Sequence, residues 1–321
     1  MIHKLPRALE PTTRAKEPGE LIVEQAPATV FEDLAQGVYL EGLAVDHERG
    51  VIWYSDVIAG GIHGVRADGT PVATLNPQRM WTGGILLNAD GAVLSSGQGG
   101  IMWNHPGTGR SGWLIEELEG EPINGINEMW PDGEGGIFFG TNDIEMVIAA
   151  RESRPTALYR LTQDRRVIPL ARGLKFSNGL AFDPVRRSLY CSDTFGCAWA
   201  WDVASDLTLS RQRVLLARED CDGLALDLQG NIWITGFRSP GIIRRVTPEG
   251  VEMDPAVTPP GSTTQVRFGG PDQRDIYITL VPADGGDSLK DGKPLSGSSR
   301  LCRGRSPVPG VLVVPADFAL D

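Results

Sequence analysis

Glu41, Gly83, Asn127, Asn178, Asp222 and Gln265 each lead a segment of the same form. A short apolar run follows the leading residue, then a turn centred on Asp or Asn, then a second apolar run. The fullest copy is Asn178-Gly179-Leu180-Ala181-Phe182-Asp183 followed by Ser188-Leu189-Tyr190-Cys191-Ser192-Asp193. Five of the six leading positions carry an oxygen-bearing side chain. Two carboxylates and several amides aimed at one point would repel and desolvate one another unless something positive sat among them. Such hard oxygen donors suit Ca²⁺, Mg²⁺ or Mn²⁺, with water completing the shell. Zn²⁺ stays open as an alternative, although His3, His47, His63 and His105 show no ligand-like spacing.

Residues this far apart meet only if the intervening chain brings them back. Each copy reads as a β-hairpin, and the copies begin about every 45 residues, with one interval of about 50. Self-similarity at that period signals a repeat architecture. Each interval holds roughly four short strands, the content of one propeller blade. The expected fold is therefore all-β, a six-bladed β-propeller over 21–321, with blades starting near residues 41, 83, 127, 178, 222 and 265. A polar leader, 1–20, precedes it.

The first strand of each blade lies innermost, so its leading residue stands at one mouth of the central channel. The second strand returns there, which adds exit residues Asp56, Gln98, Asn142 or Asp143, Asp193 and Arg238. The strand-end residues Asp46, Asn88, Asp132, Asp183 and Asp227 are assigned to turn chemistry. An open ring would leave two bare sheet edges. Ala28 to Leu34 is expected to close it, joining Leu280 and the late run Val311–Val314. An insertion, Asn142 to Thr156, forms a short helix or an apolar flap. Ala283 to Arg305 reads as a long surface loop.

The chain has 40 Gly and 23 Pro, which fits constant turning, and is 41% hydrophobic, enough for a core. A net charge of -11 without a long basic run argues against nucleic acid as a partner. No stretch approaches the roughly 18 apolar residues of a membrane span, and no signal peptide is evident, so a soluble cytoplasmic protein is expected. Cys191, Cys197, Cys221 and Cys302 lack CxxC spacing and are expected to be reduced, with a Cys191–Cys197 pair as the alternative.

At these residues the chain resembles the regucalcin/gluconolactonase (senescence marker protein) family of six-bladed propeller lactonases. The resemblance spans roughly Val38 to Leu280. It rests on Glu41-Gly42-Leu43 before Trp53, Asn127 before Gly140-Thr141, Ser177-Asn178-Gly179-Leu180, Asp222-Gly223-Leu224, and Phe268-Gly269-Gly270-Pro271-Asp272 before Tyr277. The resemblance implies one divalent cation, most often Ca²⁺, held by Glu41, Asn178 and Asp222, with Asn127 contacting metal or substrate. It implies lactone opening, in which the cation polarises the ester carbonyl and a water activated by Asp222 attacks. No serine nucleophile is needed, and no G-x-S-x-G elbow occurs.

Two departures stand out. Sugar-lactone members tend to carry Arg where this chain has Gly125, and Asp where it has Glu128. The rim instead offers Trp81, Trp130 and Phe237, with Met80, Trp103, Phe176 and Phe195. The expected substrate is accordingly a small lactone or ester less polar than a sugar lactone, contacted by Trp81, Trp130, Asn142, Asp193, Phe237 and Gln265. Alternatives are a metal-dependent arylesterase or phosphotriesterase, and a propeller that only binds metal or partners.

Overall fold

A computed structural model describes residues 29–148, 154–282, 284–290, 295 and 297–321. The expected leader, 1–20, lies outside them. Six four-stranded antiparallel sheets follow one another around a ring. Their inner strands are Leu40–Asp46, Thr82–Leu87, Gly125–Pro131, Ser177–Asp183, Cys221–Leu226 and Ser262–Gly269. Each of these packs against the inner strands of the blades before and after it, and the first packs against the sixth. Apolar residues on both faces of the sheets fill the space between blades, which is why the strands are buried end to end.

The turns behave as their chemistry dictates. Asp183 Oδ1 accepts the N–H groups of Val185 and Arg186, both at 2.9 Å, and Asp227 Oδ1 those of Gln229 and Asn231, both at 2.9 Å. In blades one, two and five a hydroxyl on the second strand stitches the blade to the next. Ser55 Oγ donates to Gly83 O at 2.8 Å, Ser96 Oγ to Asn127 O at 2.6 Å, and Thr235 Oγ1 to Thr264 O at 2.8 Å.

The ring is closed by an N-terminal strand, as expected, but with a different partner. Glu32–Gly37 pairs with Ser299–Arg305, giving the last sheet four strands. In the sequence 299–305 belongs to the Gly-, Ser- and Lys-rich stretch 283–305 that reads as a surface loop. Arginine–aspartate pairs compensate: Arg300 with Asp33, Arg303 with Asp275, and Arg305 with Asp272 and Asp275. Val311–Val314 is not a blade strand. The tail runs instead across the inner strands, with Val311 N donating to Leu226 O at 2.8 Å and Ala316 N to Leu87 O at 2.9 Å.

Helix α1, Ile144–Ile148, sits within the blade-three insertion, and α2, Gly285–Lys290, within blade six; the two touch. All four cysteines are free and buried. Among the described residues no helix is long and apolar enough to cross a membrane.

Candidate active site

Every inner strand is bulged where its site residue stands. The pairing register slips between Leu40 and Leu43, Thr82 and Ile85, Ile126 and Met129, Ser177 and Leu180, Cys221 and Leu224, and Thr263 and Gln265. A bulge opposes two residues to one and re-aims side chains. In the first five blades the first residue of the slipped pair turns toward the channel mouth, whereas Thr264 of blade six donates its hydroxyl to Leu40 O at 2.7 Å. The second is glycine in four blades, because the neighbouring strand lies against it. A Cβ at Gly42 would come within 2.0 Å of Gly83 O, and one at Gly179 within 2.2 Å of Asp222 O.

The bulges deliver Glu41, Gly83, Asn127, Asn178 and Asp222 to the floor of one cavity of about 100 Å³ that opens to solvent. Asn127 Nδ2 donates to Glu41 Oε1 at 3.4 Å, and Asn178 Nδ2 to Thr194 Oγ1 at 3.2 Å. Asp222 lies beside Asn178 and Glu41. Thr194 in turn donates to Cys221 O at 2.7 Å, fixing the backbone beside Asp222.

This floor is acceptor-rich, and among the described residues no Lys, Arg or His lines the cavity. Glu41 is 7% exposed and Asp222 2%. Burial pushes the Glu41 carboxyl up to about 7; the Asn127 hydrogen bond opposes this and the Glu128 charge adds to it. Burial, and then the charge of Glu41, hold the Asp222 carboxyl well above its ordinary range. Two buried acceptor oxygens here have no hydrogen-bond partner, Asp222 Oδ1 and Asn142 Oδ1. Orphaned acceptors beside two crowded carboxyls are what a bound cation would satisfy, so the residues fit a divalent ion. Among the described residues no three His, Cys, Asp or Glu cluster together; amide oxygens and water would complete the set.

A pH dependence follows for the metal-free protein. The folded state keeps protons on these carboxyls that the unfolded chain has already released, so stability falls as pH rises from 4.5 through about 7. The Glu41 shift corresponds to a loss on the order of 3 kcal/mol. The urea midpoint in chelator is expected to drop between about pH 5 and about pH 8, and to drop less in Glu41→Gln. A midpoint level across that range in the parent protein would contradict the burial argument.

Three expected contact residues stand elsewhere. Gln265 does not reach the cavity: Thr279 Oγ1 accepts its N–H at 2.9 Å, as Ser55 Oγ accepts that of Gly42 at 2.7 Å. It therefore occupies the glycine position of its blade, and Thr264 is the true counterpart of Glu41. A one-residue slip sends a side chain to the other face. Asp193 is a structural cap, its Oδ1 accepting Lys175 N at 2.7 Å and Phe176 N at 2.8 Å and its Oδ2 Trp199 Nε1 at 3.2 Å. Asp56 does the same for Val38 and Tyr39. Trp130 lies under the guanidinium of Arg267, in a hollow lined by His47 and the tail residues Val313, Val314 and Pro315. Trp81, Asn142 and Phe237 do line the cavity.

Sequence reasoning missed Tyr39, Thr194, Ile144 and Leu289 in the lining, and a buried pair beneath it. Glu128 and Gln265, both at the glycine position, meet in the channel, Gln265 Nε2 donating to Glu128 Oε2. Arg267 Nη2 reaches the same oxygen at 2.9 Å. Neighbouring glycines make the room: a Cβ at Gly84 would fall 2.2 Å from Glu128 Oε1, and one at Gly223 2.2 Å from Gln265 Oε1. Burial raises the Glu128 carboxyl, and Arg267 opposes it. The available signal was a glutamate where four other repeats have glycine.

The family model described as "SMP-30/Gluconolactonase/LRE-like region" matches residues 40–281, from the first inner strand to the second strand of the last blade. The chain belongs to this family. Its relatives include regucalcin of Xenopus laevis, 27% identical over 186 residues, 56% of this chain and 62% of that protein. The match thus spans about three fifths of that relative. The 6-deoxy-6-sulfogluconolactonase of Pseudomonas putida is 28% identical over 240 residues, 71% of this chain and 78% of that protein. Among solved structures, a calcium-binding regucalcin from Agrobacterium tumefaciens superposes with a TM-score of 0.72 at 19% identity, covering 90% of this chain and 96% of that one. That likeness establishes the shared family fold.

Proposed function

We propose that this protein is a divalent-metal-dependent hydrolase that opens a lactone, or a similar small ester, less polar than a sugar lactone. One observation carries the reading: Glu41 and Asp222 are two carboxyls buried together on the cavity floor, and among the described residues Asp222 Oδ1 has no hydrogen-bond partner. Glu41, Asn178 and Asp222 would hold the ion, with Asn127 beside them, and Ca²⁺ is favoured by the all-oxygen set and by the calcium-binding relative. When bound, the ion supplies Lewis acidity to an ester carbonyl and acidifies water. Asp222 accepts the proton of the attacking water. Asn127 is held by its bond to Glu41 Oε1 and orients the substrate carbonyl. The lactonase relative supports this choice of bond.

The test is a panel of lactones and aryl esters assayed with and without chelator. Hydrolysis is expected to fall at least about tenfold on chelation and to return with Ca²⁺, Mg²⁺ or Mn²⁺. Metal uptake without turnover of any lactone or ester would overturn the reading in favour of a binding module.

A further inference from the structure

We infer that the substrate is a lactone whose ring carries a hydrocarbon arm, and that Ile144 of α1 and Leu289 of α2 select for that arm. This deepens the hydrolase reading of the floor and rests on it. The cavity is divided by polarity. Its floor holds the carboxyls and amides, whereas the wall above is formed by Tyr39, Val57, Trp81, Phe195, Phe237 and Leu289. These same residues belong to one apolar cluster separate from the inter-blade core. A polyhydroxylated ring would bring its outer hydroxyls against this wall, where partners are scarce. A hydrocarbon arm loses nothing there and leaves water.

The wall is stiff. Phe195 meets Phe176 edge-on, with centroids 6.1 Å apart, and Phe237 likewise, at 6.3 Å. The Arg238 guanidinium lies 5.8 Å from the Phe195 ring and 5.0 Å from that of Phe237, which braces both rings.

Two glycines seat the helices. A Cβ at Gly286 would come 2.3 Å from Phe237 Cδ2, so α2 rests directly on that ring. A Cβ at Gly125 would fall 2.1 Å from Asn142 Oδ1 and 2.6 Å from Ile144 Cγ1, so a larger residue there would displace Ile144 from the mouth. Both helices come from insertions into the blade pattern, which makes them the variable part on a fixed floor.

The experiment measures affinity and turnover separately on the full chain with Ca²⁺. Calorimetry with γ-lactams carrying alkyl arms of increasing length, which resist cleavage, is expected to show affinity rising about fourfold per methylene over the first several carbons. In Leu289→Ser, and independently in Ile144→Ser, the gain is expected to fall below about twofold per methylene, with a cooperative melt retained. Binding that is absent or independent of arm length, or a slope unchanged in both variants, overturns the inference. The matching lactones are assayed for cleavage in parallel. An intact affinity slope with no lactone cleaved sinks the hydrolase reading and keeps the selection by Ile144 and Leu289. Cleavage that favours a polyhydroxylated ring sinks that selection and keeps the hydrolase.

Discussion

Asp222→Ala is expected to lower lactone hydrolysis by about 10³-fold or more, because it removes a metal ligand and the proton acceptor together. The fold should survive. Among the described residues Asp222 makes no ion pair, and its polar neighbours are Asn178 and Glu41 on the floor. Asp222→Asn sharpens the result, since it keeps the shape and deletes one of two buried acids. In chelator at about pH 8 this variant is expected to be more stable than the parent, as Glu41 then ionises without a like charge beside it. Activity lost while stability is gained marks a functional group held at the expense of the fold. Hydrolysis near the parent rate in either variant would refute the assigned role, as would a cooperative melt lost in both.

The second large effect lies one layer down. Arg267→Ala is expected to destabilise the protein by about 3–5 kcal/mol, because it leaves Glu128 buried without its counter-charge. Arg267 and Glu128 have side-chain exposures of 5% and 1%, so water cannot take the place of either partner. Arg267 Nη1 also donates to Leu224 O at 2.8 Å and to Gln265 Oε1 at 2.7 Å, which ties blade six to blade five. Replacing both charges, Arg267→Met with Glu128→Leu, is expected to recover most of the loss, since the desolvation penalty disappears with the pair. Urea unfolding of the single and double variants decides the matter. A single-variant loss below about 1 kcal/mol would mean that solvent reaches Glu128 after all.

How much of this was legible before folding depends on which residues repeat. Glu41, Asn127, Asn178 and Asp222 lead copies of one pattern, and pattern is a property of the chain, so their shared mouth could be read directly. Gln265 shows the limit. Its copy lacks the glycine that fixes the alignment elsewhere, and the bulge in that strand falls between Thr263 and Gln265, so counting along the sequence overshot by one residue. Asp193 and Trp130 were misplaced for a related reason: both belong to the right blades, but hydrogen bonding and packing turn them away from the cavity. The closing strand was foreseen from the need to cover an edge. Its partner was not, since Ser299–Arg305 is held by ion pairs with residues as distant as Asp33.

Composition and repetition alone determined an all-β ring and its oxygen-lined mouth, because strand period, turn residues and glycine spacing are local and recur. Only the tertiary structure decided what surrounds that mouth. Ile144, Leu289, Thr194 and the Glu128–Arg267 pair come from insertions or single blades, and no periodicity announces them. Their meeting depends on bulges and on close approaches of one strand to the next, which are set by packing between segments a hundred or more residues apart.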